Sequence, residues 1–150
     1  MSSDSSLREP AELLASSGFL LARIGGESTR RFTRALADHG LRISHYGVLM
    51  TLASEGPLSQ TALGARIGMD PRNLVGVLDF LEQQGLVNRD KDTRDRRRHG
   101  VQLTSRGAGM LAKLRRVGAV LEKKMLSPLD ASERMILHRL LMKLLAGVEG

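Results

Sequence analysis

At 150 residues the chain lies within the usual range of one domain, long enough to bury a core and too short for two independent ones. Its 23 Lys and Arg against 16 Asp and Glu leave a formal charge of +7, which favours a polyanionic partner, nucleic acid ahead of an anionic membrane. The absence of Cys excludes disulfides, thiolate metal sites and a cysteine-based redox sensor, and it fits a cytoplasmic protein.

The polar residues 1–10 and the interrupted apolar run at 13–21 make neither a signal peptide nor a membrane span. From Pro10 to about Asp38, Leu14, Leu21, Ile24, Phe32 and Leu36 recur at helical intervals. They predict one long helix in which Gly25-Gly26 marks either a bend or close packing. Ser44 is the expected N-cap of a second helix carrying Tyr46, Val48, Leu49 and Leu52, ended by Gly56-Pro57.

Ser59 caps a third helix through Ala62, Leu63 and Ile67, and Gly68 supplies the left-handed residue that stops it. Asp70 and Pro71 suit the N-cap and first position of a fourth helix, with Leu74, Leu78 and Leu81 as one apolar stripe up to Gly85. Two helices joined this tightly indicate a helix-turn-helix.

Residues 86–89 and 101–104 then read as two short strands of a hairpin with a long basic tip. Thr104 caps a helix whose stripe is Met110, Leu111, Leu114, Val117, Leu121 and Met125, ending near Ser127-Pro128. Asp130 and Glu133 have the spacing of a capping box, opening a last helix with Ile136, Leu140, Leu141, Leu144 and Leu145 on a wide apolar face. The expected fold is a single domain, mainly α with a small β-hairpin.

In a helix-turn-helix the second helix enters the major groove, its first residues facing base edges while helix ends meet phosphate. Arg72 and Asn73 sit at that end; Arg pairs bidentately with guanine and Asn with adenine, so both are expected to read bases, with Gln60 and Thr61 on phosphate. An ordinary helical hairpin with a polar face is the alternative. The hairpin tip adds Lys91, Arg94, Arg96, Arg97 and Arg98, with aspartates among them to orient the guanidiniums. Such a tip suits a minor groove narrowed at A·T-rich sequence, whereas the same charge run in isolation reads as a solvated loop. Double-stranded DNA is the expected partner, because three Phe and one Tyr are too few for a single-strand binder built on stacking rings.

Residues 58–107 resemble the MarR family of winged helix-turn-helix transcription regulators. The resemblance rests on Asp95-Arg96-Arg97-Arg98, on Val101-Gln102-Leu103-Thr104 with Gly107 after it, and upstream on Leu74-Val75, Leu78, Leu81-Glu82 and Gly85-Leu86-Val87. It implies a homodimer in which helices within 10–38 and 105–148 of two chains intertwine, flanking a winged lobe at 44–104. It also implies that Arg97 enters the minor groove, held by Asp95, while Arg94, Arg96 and Arg98 attract phosphate. A second Asp-x-Arg, Asp92-Thr93-Arg94, leaves two registers open. Some relatives carry an arginine directed at DNA where this chain has Gly76, so direct readout is expected to rest on Arg72 and Asn73. Many relatives bind a small aromatic or phenolic effector that weakens DNA affinity, and His45, Tyr46 and Met50 lie in the segment that would line its crevice; as ordinary core or surface residues they need no ligand. The implied function is a repressor of a pseudo-palindromic operator.

Two rival readings belong to other classes. Gly107-x-Gly109-x-x-Ala112 follows a strand and opens a helix as a dinucleotide fingerprint does, but the parallel strand and acidic residue a Rossmann unit needs are missing downstream. With four scattered His, no metal-ligand spacing and no catalytic motif, no enzyme, metal or cofactor is expected. An architectural nucleic-acid-binding protein would share the charge and the wing, and differs in lacking preference for one sequence over bulk DNA.

Overall fold

Side-chain caps and left-handed glycines set the element boundaries in the computed structural model, which describes residues 9–90 and 100–150. The order is α1 (Ala11–Leu14), α2 (Ser17–Ala37), α3 (Ile43–Glu55), α4 (Gln60–Ile67), α5 (Pro71–Gln83), β1 (Val87–Arg89), β2 (Val101–Leu103), α6 (Ser105–Met125) and α7 (Ala131–Glu149). The architecture is mainly helical with one antiparallel hairpin, as the patterning predicts.

Four caps fall on the residues that local chemistry selects. The side chains of Ser59, Asp70, Thr104 and Asp130 accept from the backbone N–H groups of Ala62, Arg72, Gly107 and Glu133, each satisfying a donor with no partner inside its helix. Gly56, Gly68 and Gly85 take positive φ where α3, α4 and α5 end, a conformation that costs glycine little.

Two boundaries differ from expectation. The first helix is divided at Ser16, whose Oγ accepts from Phe19 N–H at 3.2 Å and so opens α2. The glycine pair does not divide it: α2 continues through both, a Cβ on Gly25 would meet nothing within 4 Å, and one on Gly26 would meet only the tip of Arg30. A serine side chain competes for backbone donors and ends a helix, whereas glycine lowers helix propensity without removing a hydrogen bond. The second helix begins at Ile43, with Arg42 rather than Ser44 at the N-cap; the ring Nδ1 of His45, in the first turn, reaches back to accept from Arg42 N–H at 2.9 Å and so fixes the helix start.

One core joins α2, α3, α4, α5, the hairpin and α6. Leu36 from α2, Val48, Leu49 and Leu52 from α3, Leu63 from α4, Leu74, Leu78 and Leu81 from α5, Val87 and Val101 from the strands, and Leu111 and Leu114 from α6 are all buried in it. Burial fades along the long helices: in α6, Val117 and Leu121 are half-buried and Val120 is exposed, and in α2, Leu20, Leu21 and Ile24 are exposed. No residue of α7 is buried, although it carries Met135, Ile136, Leu140, Leu141, Met142, Leu144, Leu145 and Val148.

The strands pair Val87 with Leu103, Asn88 with Gln102 and Arg89 with Val101. Val101 also exchanges two backbone hydrogen bonds with Leu58, just before α4, at 2.7 and 3.2 Å, so the root of the hairpin is tied to the helix pair. The start of α6 seats on the turn after α5. Thr104 donates from Oγ1 to Gly85 O at 2.6 Å and from its N–H to Leu86 O at 3.1 Å. Gly107 lies so close behind that a Cβ there would sit 2.0 Å from Leu86 O.

Candidate nucleic-acid interface

The 3.6-residue period divides α5 into two faces. Leu74, Leu78 and Leu81 are buried and fix the helix to the core, while Arg72, Asn73, Val75, Gly76, Asp79 and Gln83 are exposed on the other side. Asp70 Oδ1 accepts from Arg72 N–H at 2.8 Å, and Pro71 occupies the first turn without a missing bond. Arg72 and Asn73 thus project from a capped, rigid helix start. At the neighbouring start of α4, Ser59 Oγ accepts from Ala62 N–H at 3.1 Å and leaves Gln60 and Thr61 exposed. The two helices approach closely through Gly64, where a Cβ would be 3.2 Å from Met69 O and 3.4 Å from the side chain of Leu74. The four residues read from sequence as base and phosphate contacts on the helices are therefore all exposed, at the first turns of the helix pair.

The hairpin is coupled to the same helix by charge. Arg89, at the end of β1, donates to Glu82 Oε2 at 3.2 Å and to Asp79 Oδ1 at 2.5 Å, and its N–H also donates to Glu82 Oε2 at 3.1 Å. The Arg89 side chain is only 19 % exposed, and the hydrogen bond with Glu82 followed by that with Asp79 holds it in the charged form. The chemical consequence is at Asp79: a carboxylate on the solvent face of α5 would repel phosphate, and Arg89, shared with Glu82, offsets part of that charge. The pairing of Arg89 with Asp79 and Glu82 is not legible in the sequence, where only a helix spacing of three and a later arginine hint at it.

Asp90 N–H donates to Gly100 O at 3.2 Å, which holds the two ends of the basic segment together at the hairpin. Arg94, Asp95, Arg96, Arg97 and Arg98 lie outside the described residues, as does Asp92-Thr93-Arg94.

The residues expected to line an effector crevice separate into two environments. His45 is buried, stacks on Phe80 of α5 with ring centroids 4.4 Å apart, and has its pKa lowered by burial and then by Arg42. Tyr46 makes an edge-to-face contact with Phe32 of α2 at 4.8 Å, and Met50 Sδ accepts from Arg115 of α6 at 3.6 Å. Tyr46 and Met50 thus stand where α2, α3 and α6 meet, while His45 supports the helix that carries Arg72. A separate crevice of about 520 Å³ opens between α6 and α7, lined by Ala119, Glu122, Lys123, Leu126, Arg134, Met135 and His138.

The same geometry does not favour the dinucleotide alternative. The strand before Gly107 pairs antiparallel with β1 and bridges antiparallel to Leu58, and a Cβ on Gly107 would meet Leu86 O. Among the described residues no group of three or more His, Asp or Glu could hold a metal, and no helix is long and apolar enough to cross a membrane.

A capped helix pair with an exposed polar face, followed by a hairpin tied to both helices, defines a winged helix-turn-helix DNA-binding protein. Comparison with known proteins narrows this class. The MarR family model matches residues 41–99. A proposed transcriptional regulatory protein for the hcr operon of Thauera aromatica is 32% identical over 128 residues, covering 85% of this chain and 77% of that protein. The crystal structure of MarR family protein Rv2887 of Mycobacterium tuberculosis in complex with DNA is 27% identical, with a TM-score of 0.74 over 87% of this chain and 98% of that one. The same protein in complex with salicylic acid is 28% identical, with a TM-score of 0.68 over 87% of this chain and 96% of that one. The chain belongs to the MarR family and is a DNA-binding transcriptional regulator.

Proposed function

We propose that the chain represses transcription as a homodimer on a pseudo-palindromic operator and is released by a small aromatic or phenolic ligand. The observation that carries the dimer is α7: Met135 is 74 % exposed, none of the helix is buried, and Leu140, Leu141, Leu144 and Leu145 face outward together. An apolar surface of that extent marks an association site in a soluble protein. A second copy is the occupant that the family resemblance supplies, with residues 10–38 and 105–148 as the joining helices and 44–104 as the DNA-binding lobe. A cytoplasmic location accords with that partner.

In each lobe Arg72 and Asn73 read base edges in the major groove and Gln60 and Thr61 hold phosphate. Arg97, paired with Asp95, enters the minor groove, and Arg94, Arg96 and Arg98 supply phosphate attraction. The exposed start of α5 and the closure of Asp90 on Gly100 support these roles. Binding of salicylic acid by Rv2887 supports an aromatic effector, and the paired rings of Phe32 and Tyr46, with Met50 held by Arg115, offer apolar and cationic groups for one.

Sedimentation and footprinting on a selected operator test the reading together. Half-sites about 10 base pairs apart with two-fold symmetry are expected. Leu140→Glu with Leu144→Glu should give monomers that bind the operator poorly. A wild-type monomer occupying one half-site would overturn the proposal.

A further inference from the structure

Val75 and Gly76 remain unexplained by the fold and by the contacts assigned to Arg72 and Asn73. Val75 is 44 % exposed in the middle of the polar face of α5, between Arg72 one turn before it and Asp79 one turn after. It is a single branched apolar side chain among Arg72, Asn73, Asp79 and Gln83, all exposed, and not part of an apolar patch that a protein partner would cover. Gly76 occupies a helix interior, where glycine is among the least favourable residues. Its conformation does not require glycine: its φ is not positive, and a Cβ there would meet nothing within 4 Å. Gly64 and Gly107 differ in this respect, since their Cβ positions are taken by Met69 O and Leu86 O of the chain itself. Nothing within the chain thus calls for glycine at position 76, and the middle of the exposed face of α5 is left without a side chain beside Val75.

Resting on the reading of α5 as the helix in the major groove, we infer that Val75 reads the C5-methyl of a thymine and that Gly76 is the clearance that lets the helix approach it. Thymine is the one unmodified DNA base that displays a methyl group in the major groove, and apolar side chains select it by contact. A side chain at position 76 would stand on the same face as Val75 and hold the helix away from the base edges. Asp79 opposes the approach less than a free carboxylate would, because Arg89 offsets part of its charge. The operator then carries, in each half-site, a thymine next to the base pairs read by Arg72 and Asn73, and recognition there is of a methyl group rather than of a hydrogen-bonding edge.

The test separates the methyl from every other feature of the base. An operator is selected from a randomised duplex library, and each thymine of a half-site is replaced in turn by deoxyuridine, which keeps all hydrogen-bonding groups. For the wild type, one such replacement should weaken binding about fourfold, the effect of one buried methyl group, and about fifteenfold when made in both half-sites. With Val75→Ala the same replacement should change affinity less than about twofold, since the contact is already gone. Gly76→Ala should weaken binding to the thymine operator without lowering the melting temperature of the protein. Wild-type binding indifferent to uracil at every position, or a uracil penalty that persists in Val75→Ala, overturns the inference while leaving operator recognition intact. A selection that yields no preferred sequence overturns the placement of α5 itself, and this inference with it.

Discussion

Replacing Gly107 by Ala tests how the DNA-binding lobe is fastened to the long helix α6. The added Cβ would lie 2.0 Å from Leu86 O, 3.0 Å from Leu86 C and 2.8 Å from Leu103 Cδ1. The leucine tip can rotate away, but the carbonyl cannot move freely. It accepts from Thr104 N–H at 3.1 Å, and the same turn holds Thr104 Oγ1 through Gly85 O at 2.6 Å. Relieving the contact thus means shifting backbone by about 1 Å, and overpacking of this kind costs about 1–3 kcal/mol. Weakening the Thr104 bond adds about 1 kcal/mol. Against this, Ala is favoured over Gly in a helix interior by about 1 kcal/mol, and by less in the first turn, where residue 107 lies. The net expectation is a loss of about 1–3 kcal/mol. In a chain of this length that lowers the melting temperature by roughly 2–12 °C. Urea unfolding followed by circular dichroism, at one fixed protein concentration, measures it. Gly109→Ala is the internal control, because a Cβ there meets nothing within 4 Å and should leave stability unchanged or raised. Equal stability of Gly107→Ala and wild type, or equal losses in the two variants, would refute the reasoning.

Arg89→Gln should lower stability by about 1 kcal/mol, since its partners are partly solvated, and should weaken DNA binding by freeing the charge of Asp79. Adding Asp79→Asn should restore affinity but not stability, as read by fluorescence anisotropy beside thermal melts. The lowered pKa of His45 means that the unfolded chain takes up a proton first as pH falls below about 6.5. Stability is therefore fully present above that pH and declines below it until the folded protein also protonates; the difference between wild type and His45→Gln across that window should narrow as the medium acidifies. Arg97→Ala should cost about 1–3 kcal/mol of operator binding and reduce the salt slope by about one unit; a titration in NaCl in which it matches Arg106→Ala would remove it from the interface.

What could be read in the sequence follows from the range of the interactions concerned. The side chains of Ser59, Asp70, Thr104 and Asp130 accept from backbone donors three or fewer residues away, so local sequence alone locates them. The stripe Leu74, Leu78, Leu81 and the exposure of Arg72 and Asn73 follow from helical period in the same way. The ion pairs of Arg89 span ten and seven residues and the bridge between Leu58 and Val101 spans far more, so both depend on how α5 and the hairpin meet. His45 as a cap acceptor escapes notice because serine is the commoner cap and stands beside it. Gly76 and Gly107 look alike as letters, yet one is open and the other is pressed on a carbonyl; no local rule separates them.

The backbone bridge from Leu58 to Val101 joins the entrance of α4 to the root of the hairpin, while Thr104 and Gly107 clamp the turn after α5 to the start of α6. The reading head is thereby a single stiff body mounted on a rod. The 11 residues of α6 beyond Leu114 extend for about 16 Å, so a tilt of about 5° at the far end displaces the base of the head by roughly 1.4 Å. That is about half the length of a hydrogen bond, enough, on the role proposed for Arg72, to weaken its contact with a base edge while every contact inside the lobe stays as it is. Such a molecule can be switched by leverage, with its sequence-reading surface intact and merely misaimed.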